Sequence, residues 1–136
     1  QYGEKVSCVI MVDTSGSISD EDILNVASEI KGVTEQFQDY EIHFIQGDTR
    51  VTDYTVISPF EGDIPRKFKG RGGTSFTPLL DFAKDKDLLA NSAVFYFTDG
   101  YPDKWPDDKY GNITWVITTD IEPPWGDFIH YDRERD

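Results

Sequence analysis

Apolar residues in this chain fall into short runs divided by stretches of Gly, Pro, Asp and Ser. The first, Val6 to Val12, is apolar on both faces through its Cys8-Val9-Ile10-Met11 centre. That pattern suits a central parallel strand covered by helices on each side. Tyr40 to Ile45 alternates, with Tyr40, Ile42 and Phe44 sharing one face, and predicts a second strand. Arg50 to Ile57 predicts a third. The short Gly47-Asp48 break between them favours an antiparallel hairpin with one strand at the sheet edge. Ala93 to Phe97 and Ile113 to Ile117 read as two more core strands, and Gly126 to His130 as a short last one.

Two segments follow the helical period instead. Ser19-Asp20-Glu21-Asp22 places a hydroxyl three residues before a carboxylate, a helix start, with acidic residues where the helix dipole favours them. Ile23, Ala27, Ile30, Val33 and Phe37 then predict an amphipathic helix over about 20–37. Thr77-Pro78 has the cap-then-proline order of a second helix start, and the apolar face begun by Leu79, Leu80 and Ala83 extends it to about Leu89. Between the third strand and this helix, Ser58 to Gly73 reads as a loop with one extended segment around Ile64 to Phe68.

The order β-α-β-β-loop-α-β-loop-β, with a last short strand, predicts an α/β fold. It is a three-layer, Rossmann-like open sheet, mostly parallel, with an antiparallel edge strand. Its 136 residues suit one domain spanning 1–136, with 132–136 (DRERD) as a frayed tail. A start on Gln1 suggests a processed chain or a piece of a larger protein.

Charge narrows the partners. Thirteen Lys and Arg face 26 Asp and Glu, for a net charge of −13. Such a surface repels nucleic acid and anionic membrane and suits cations, although acidity alone reads first as a solvated face. The basic cluster Arg66, Lys67, Lys69 and Arg71 reads first as local charge balance. No run reaches the length of a membrane span, and a cytoplasmic location is expected. Cys8, the single cysteine, lies in the first apolar run and reads as a buried small side chain. His43 reads as a packed or locally bonded strand residue, and His43 and His130 lack zinc spacing.

Ligands of open α/β sheets gather beyond the carboxyl ends of parallel strands. Asp13 and Asp99 stand beyond the two most apolar strands, and Ser15, Ser17 and Thr74 lie in loops that lead to the same rim. These oxygen-bearing side chains form a donor set for a hard divalent ion: magnesium takes about six oxygens and keeps several waters. Each piece also has a plainer reading. Ser15 and Ser17 can serve a turn or a helix terminus, Thr74 or Thr77 can cap, and Asp99-Gly100 can simply turn the chain.

The set Asp13-Thr14-Ser15-Gly16-Ser17, Gly72-Gly73-Thr74 and Phe97-Thr98-Asp99-Gly100 resembles the motifs of the von Willebrand factor type A (VWA) domain, over roughly Lys5 to Tyr131. Gly72 to Pro78 and Pro124-Trp125-Gly126 resemble in particular the compact VWA-like domains of bacterial and phage metallopeptidase-related proteins. The chain contains no His-Glu-x-x-His, so a peptidase activity would reside elsewhere. The resemblance implies a metal-ion-dependent adhesion site. Ser15, Ser17 and Thr74 would be direct ligands of Mg2+, or of Mn2+ or Ca2+, and Asp13 and Asp99 would bind directly or through water. It further implies a noncatalytic module whose open metal position takes an Asp or Glu of a protein partner, with an AAA-type ATPase as one candidate. A metal-dependent hydrolase and a structural module with a vestigial site are the competing expectations. The chain also departs from longer relatives: Ser58 to Gly73 is short, and no helix is expected after Ile117.

Overall fold

Each apolar run pairs with the next to build one sheet. The computed structural model describes residues 5–15, 18–68 and 72–131. Its elements are β1 (Lys5–Asp13), α1 (Asp20–Thr34), β2 (Asp39–Gly47), β3 (Val51–Ile57), α2 (Thr77–Asp85), β4 (Ala93–Thr98), β5 (Thr114–Ile117) and β6 (Asp127–His130). The sheet order is β3-β2-β1-β4-β5-β6. Only β3 runs antiparallel, against β2, with a register shift at Gln46/Gly47. This is the mostly parallel α/β sheet with an antiparallel edge that the patterning predicts.

Period-two alternation sorts the strands onto two cores. Cys8, Ile10, Val12, Ile42, Phe44 and Phe97 pack with Ile23, Val26 and Ala27 of α1. Val9, Met11, Ile45, Tyr96 and Trp115 pack with Leu79, Leu80 and Ala83 of α2 on the opposite face. Each face of the sheet therefore carries one helix, as a buried parallel sheet requires.

Where helices are short, aromatic side chains substitute on the α2 face. Trp115 lies 5.2 Å from the rings of Phe76, Tyr96 and Trp105 and 5.4 Å from that of Trp125. Trp115 donates to the Trp125 carbonyl and Trp125 to the Pro106 carbonyl, so the connections on either side of β5 are pinned to the core. The α1 face is less complete. Val26 and Ile30 of α1 border an open trough floored by Phe95, Val116 and Ile129, and Ile129 is 54% exposed.

Several boundaries differ from the sequence expectation. The first helix ends at Thr34 rather than 37, its last amides already turning back to Lys31 and Val33, which leaves Phe37 half exposed. The second ends at Asp85 rather than Leu89. Asp87 takes a left-handed φ of 59°, and the Leu88 amide returns to the Ala83 carbonyl, a closure that stops the helix. Thr77 is its first residue, not its cap. Phe76 holds the cap position, where its phenyl ring has no polar atom to make a cap bond and packs in the Trp115 cluster instead. Ile64 to Phe68 forms no strand, although Ile64 and Phe68 are buried against the α1 core. Lys69, Arg71 and the 132–136 tail lie outside the described residues.

His43 is locally bonded, as expected: Nδ1 lies 2.6 Å from the Tyr54 hydroxyl and Nε2 2.8 Å from Glu41 Oε1. Cys8 is buried, and burial pushes its thiol up to about 12. Among the described residues no helix is long and apolar enough to cross a membrane.

Candidate functional site

The sheet reverses its direction of growth between β1 and β4. From β1 the chain crosses to β2 and the edge strand β3, then returns through α2 to β4 on the other flank of β1. Both strands run parallel, with Val12 beside Phe97, so their carboxyl ends open onto one crevice. This is the topological switch point at which open α/β sheets bind ligands. Asp13 ends β1 and Asp99 follows β4.

Local chemistry fixes both carboxylates. Asp13 Oδ1 accepts the Ser15 amide at 2.9 Å, the self-turning bond expected of an aspartate after a strand. Asp13 Oδ2 accepts the Thr98 hydroxyl at 2.7 Å, a bond between residues 85 apart. The Thr98 oxygen in turn accepts the Gly100 amide at 3.1 Å. Asp99 Oδ1 accepts the Tyr101 amide at 3.1 Å, and its carbonyl accepts the Thr119 hydroxyl at 2.6 Å. Gly100 has φ +87°, a conformation that favours glycine, and a Cβ there would crowd Ile121 Cβ at 3.0 Å.

Asp13, Thr14, Ser15, Thr98 and Asp99 are all buried. Burial is the largest influence on Asp13 and raises its pKa above the ordinary aspartate value. Hydrogen bonds from Thr98 and Ser15 oppose that, and the negative charge of Asp99 adds to it. Three hydrogen bonds, one from Thr98 and two from Ser15, thus act on Asp13 together with a second anion. The Thr14 hydroxyl, between the two motif residues, is buried without a hydrogen-bond partner among the described residues. Buried charge and unmet polar groups both cost stability.

The structure brings Asp13, Ser15 and Asp99 to one rim. It sets the half-buried Thr74 beside the segment that follows Asp99, the Thr74 carbonyl accepting the Asp103 amide at 2.8 Å. Ser17 lies outside the described residues. No group of three or more His, Cys, Asp or Glu able to hold an ion occurs among the described residues. An ion at this rim would thus depend on hydroxyls and water beside two carboxylates, a donor set that fits magnesium and not zinc. Thr98 and Asp48 were not singled out by the sequence. Thr98 precedes the motif aspartate, and its role follows from the β1–β4 register alone. Asp48 reads as a hairpin residue, yet its carboxylate accepts the Gly72 and Thr49 amides. Burial raises the Asp48 pKa, but amide bonds from Gly72, Thr49, Asp48 and Arg50 outweigh it and hold the group below its usual range.

These features define an open α/β domain with acidic and hydroxyl side chains gathered at its switch point. The chain belongs to the family described as VWA-like domain (DUF2201), whose model matches residues 8–132. No curated protein and no solved structure matches it.

Proposed function

We propose that this VWA-like domain binds a divalent cation, magnesium for preference, at the Asp13–Asp99 rim and uses it to grip a carboxylate on a protein partner. The observation that carries the reading is Asp13: a buried carboxylate ending a central strand, close enough to a second carboxylate to feel its negative charge. Two carboxylates formally cancel a doubly charged ion, and hydroxyls add ligands without further charge. Asp13, Ser15, Thr74 and Asp99 would hold the ion, with Ser17 as a fifth donor. The ion would supply a Lewis-acidic position with exchangeable water, into which an Asp or Glu side chain can enter. Thr98 keeps Asp13 aimed at the rim, and the Gly100 turn presents Asp99 beside it.

The role is binding rather than catalysis, since gripping a carboxylate requires no proton transfer or covalent step from the chain. Water-proton relaxation of Mn2+ tests the reading, because it reports both binding and open coordination positions. Wild-type protein stripped with chelator should enhance relaxation, and Asp13→Ala should not. Absence of enhancement with the wild type, or equal enhancement by the variant, overturns the proposal.

A further inference from the structure

The Thr74 loop is fastened by a residue outside the proposed donor set. Asp48 follows β2 and reaches that loop on both sides of Thr74: its Oδ2 accepts the Gly72 amide at 3.1 Å, and its backbone carbonyl accepts the Ser75 amide at 3.0 Å. The Thr49 amide, 2.6 Å from Oδ1, fixes the rotation of the carboxylate. Approach is close enough that a Cβ on Gly72 would lie 3.1 Å from Asp48 Oδ2. One residue earlier, the Gly47 carbonyl accepts the Thr14 amide at 2.9 Å. The end of β2 therefore braces two separate segments of the rim, the turn after Asp13 and the loop that carries Thr74.

We infer that Asp48 is a positioning residue for the cation site, setting Thr74 at the rim by clamping Gly72 and Ser75. The inference rests on the metal-binding reading above. Mutation of Asp48 removes the side-chain half of the clamp and leaves the backbone half in place, so the loop loosens without losing its anchor altogether. Because Thr74 is held through its neighbours, the effect falls on metal affinity more than on the fold. Residues that orient metal ligands in this indirect way typically contribute about 10–100-fold in affinity. Hydrogen-bond acceptors are what the clamp needs at this position, not a negative charge as such; the amide oxygen of asparagine can accept from the Gly72 amide, while its amide nitrogen cannot accept from Thr49.

The test is the Mg2+ concentration dependence of the thermal midpoint for chelator-stripped wild type, Asp48→Ala and Asp48→Asn. Asp48→Ala should need about tenfold more Mg2+ for the same upward shift, while its midpoint in chelator stays close to wild type. Asp48→Asn should recover part of the response, since it keeps the acceptor for the Gly72 amide and loses the one for Thr49. A wild-type response in Asp48→Ala overturns the role of Asp48 alone. Equal loss in Asp48→Asn and Asp48→Ala overturns it too, since charge rather than the clamp would then matter. No Mg2+ response in the wild type overturns the metal reading and this inference with it.

Discussion

The Thr98 hydroxyl donates to Asp13 Oδ2 across 2.7 Å and closes the seam between two parallel strands at the level of the rim. The same oxygen accepts the Gly100 amide. One buried hydroxyl thus orients the first carboxylate and shapes the turn that presents the second. Thr98→Val removes both bonds at nearly constant volume and should destabilise the chelator-treated protein by about 1–3 kcal/mol. Thr98→Ser, which keeps the oxygen, should recover most of that loss in urea unfolding.

Gly100 carries the turn itself. Its φ of +87° strains any side chain, and Ile121 Cβ, 3.0 Å away, would have to give by a few tenths of an ångström. Gly100→Ala should cost about 1–2 kcal/mol from backbone strain, with the Ile121 contact adding to it. Urea unfolding in chelator measures this cost apart from any effect on an ion.

The outline of this arrangement is legible in the sequence because its signals are local. Val6 to Val12 and Ala93 to Phe97 announce buried strands, and Asp13 and Asp99 stand at their ends whichever way the sheet is ordered. What is illegible depends on register and distant packing. Thr98 acquires its partner only because β4 lies beside β1, and Asp48 finds Gly72 across 24 residues. Phe76 displaces Thr77 as the cap of α2 because its ring packs against Tyr96, Trp105 and Trp115, residues no local pattern connects. The early end of α2 hangs on one left-handed residue, Asp87, an uncommon conformation for a side chain other than glycine.

Trp115 replaces a helix as the cover of the α2 face, joining Phe76, Tyr96, Trp105 and Trp125 and donating to the Trp125 carbonyl. Trp115→Phe leaves that carbonyl without its donor and leaves a void where the larger ring packed. A loss of about 1–3 kcal/mol is expected. Near-ultraviolet circular dichroism should fall as well, because the coupled aromatic array loses its centre. An unchanged spectrum would argue against the array.

Cys8 makes stability depend on alkaline pH. Burial raises its thiol from 9.0 to about 12 in the folded chain. Above the unfolded value the unfolded state releases this proton and the folded state keeps it. The contribution is complete below 9.0 and is lost as pH rises toward about 12, at about 1.4 kcal/mol per pH unit within that window. Tyr96, whose pKa burial also raises, acts in the same direction. Cys8→Ala should flatten the slope of unfolding free energy against pH by the thiol's share, and the native thiol should resist alkylation at neutral pH.

The central claim is that Asp13 and Asp99 together hold a divalent ion. Isothermal titration of Mg2+ into chelator-stripped protein tests it most directly. The account predicts one ion bound per chain, with the heat of binding abolished in both Asp13→Ala and Asp99→Ala. No saturable heat with the wild type, or binding unchanged in either variant, would contradict it.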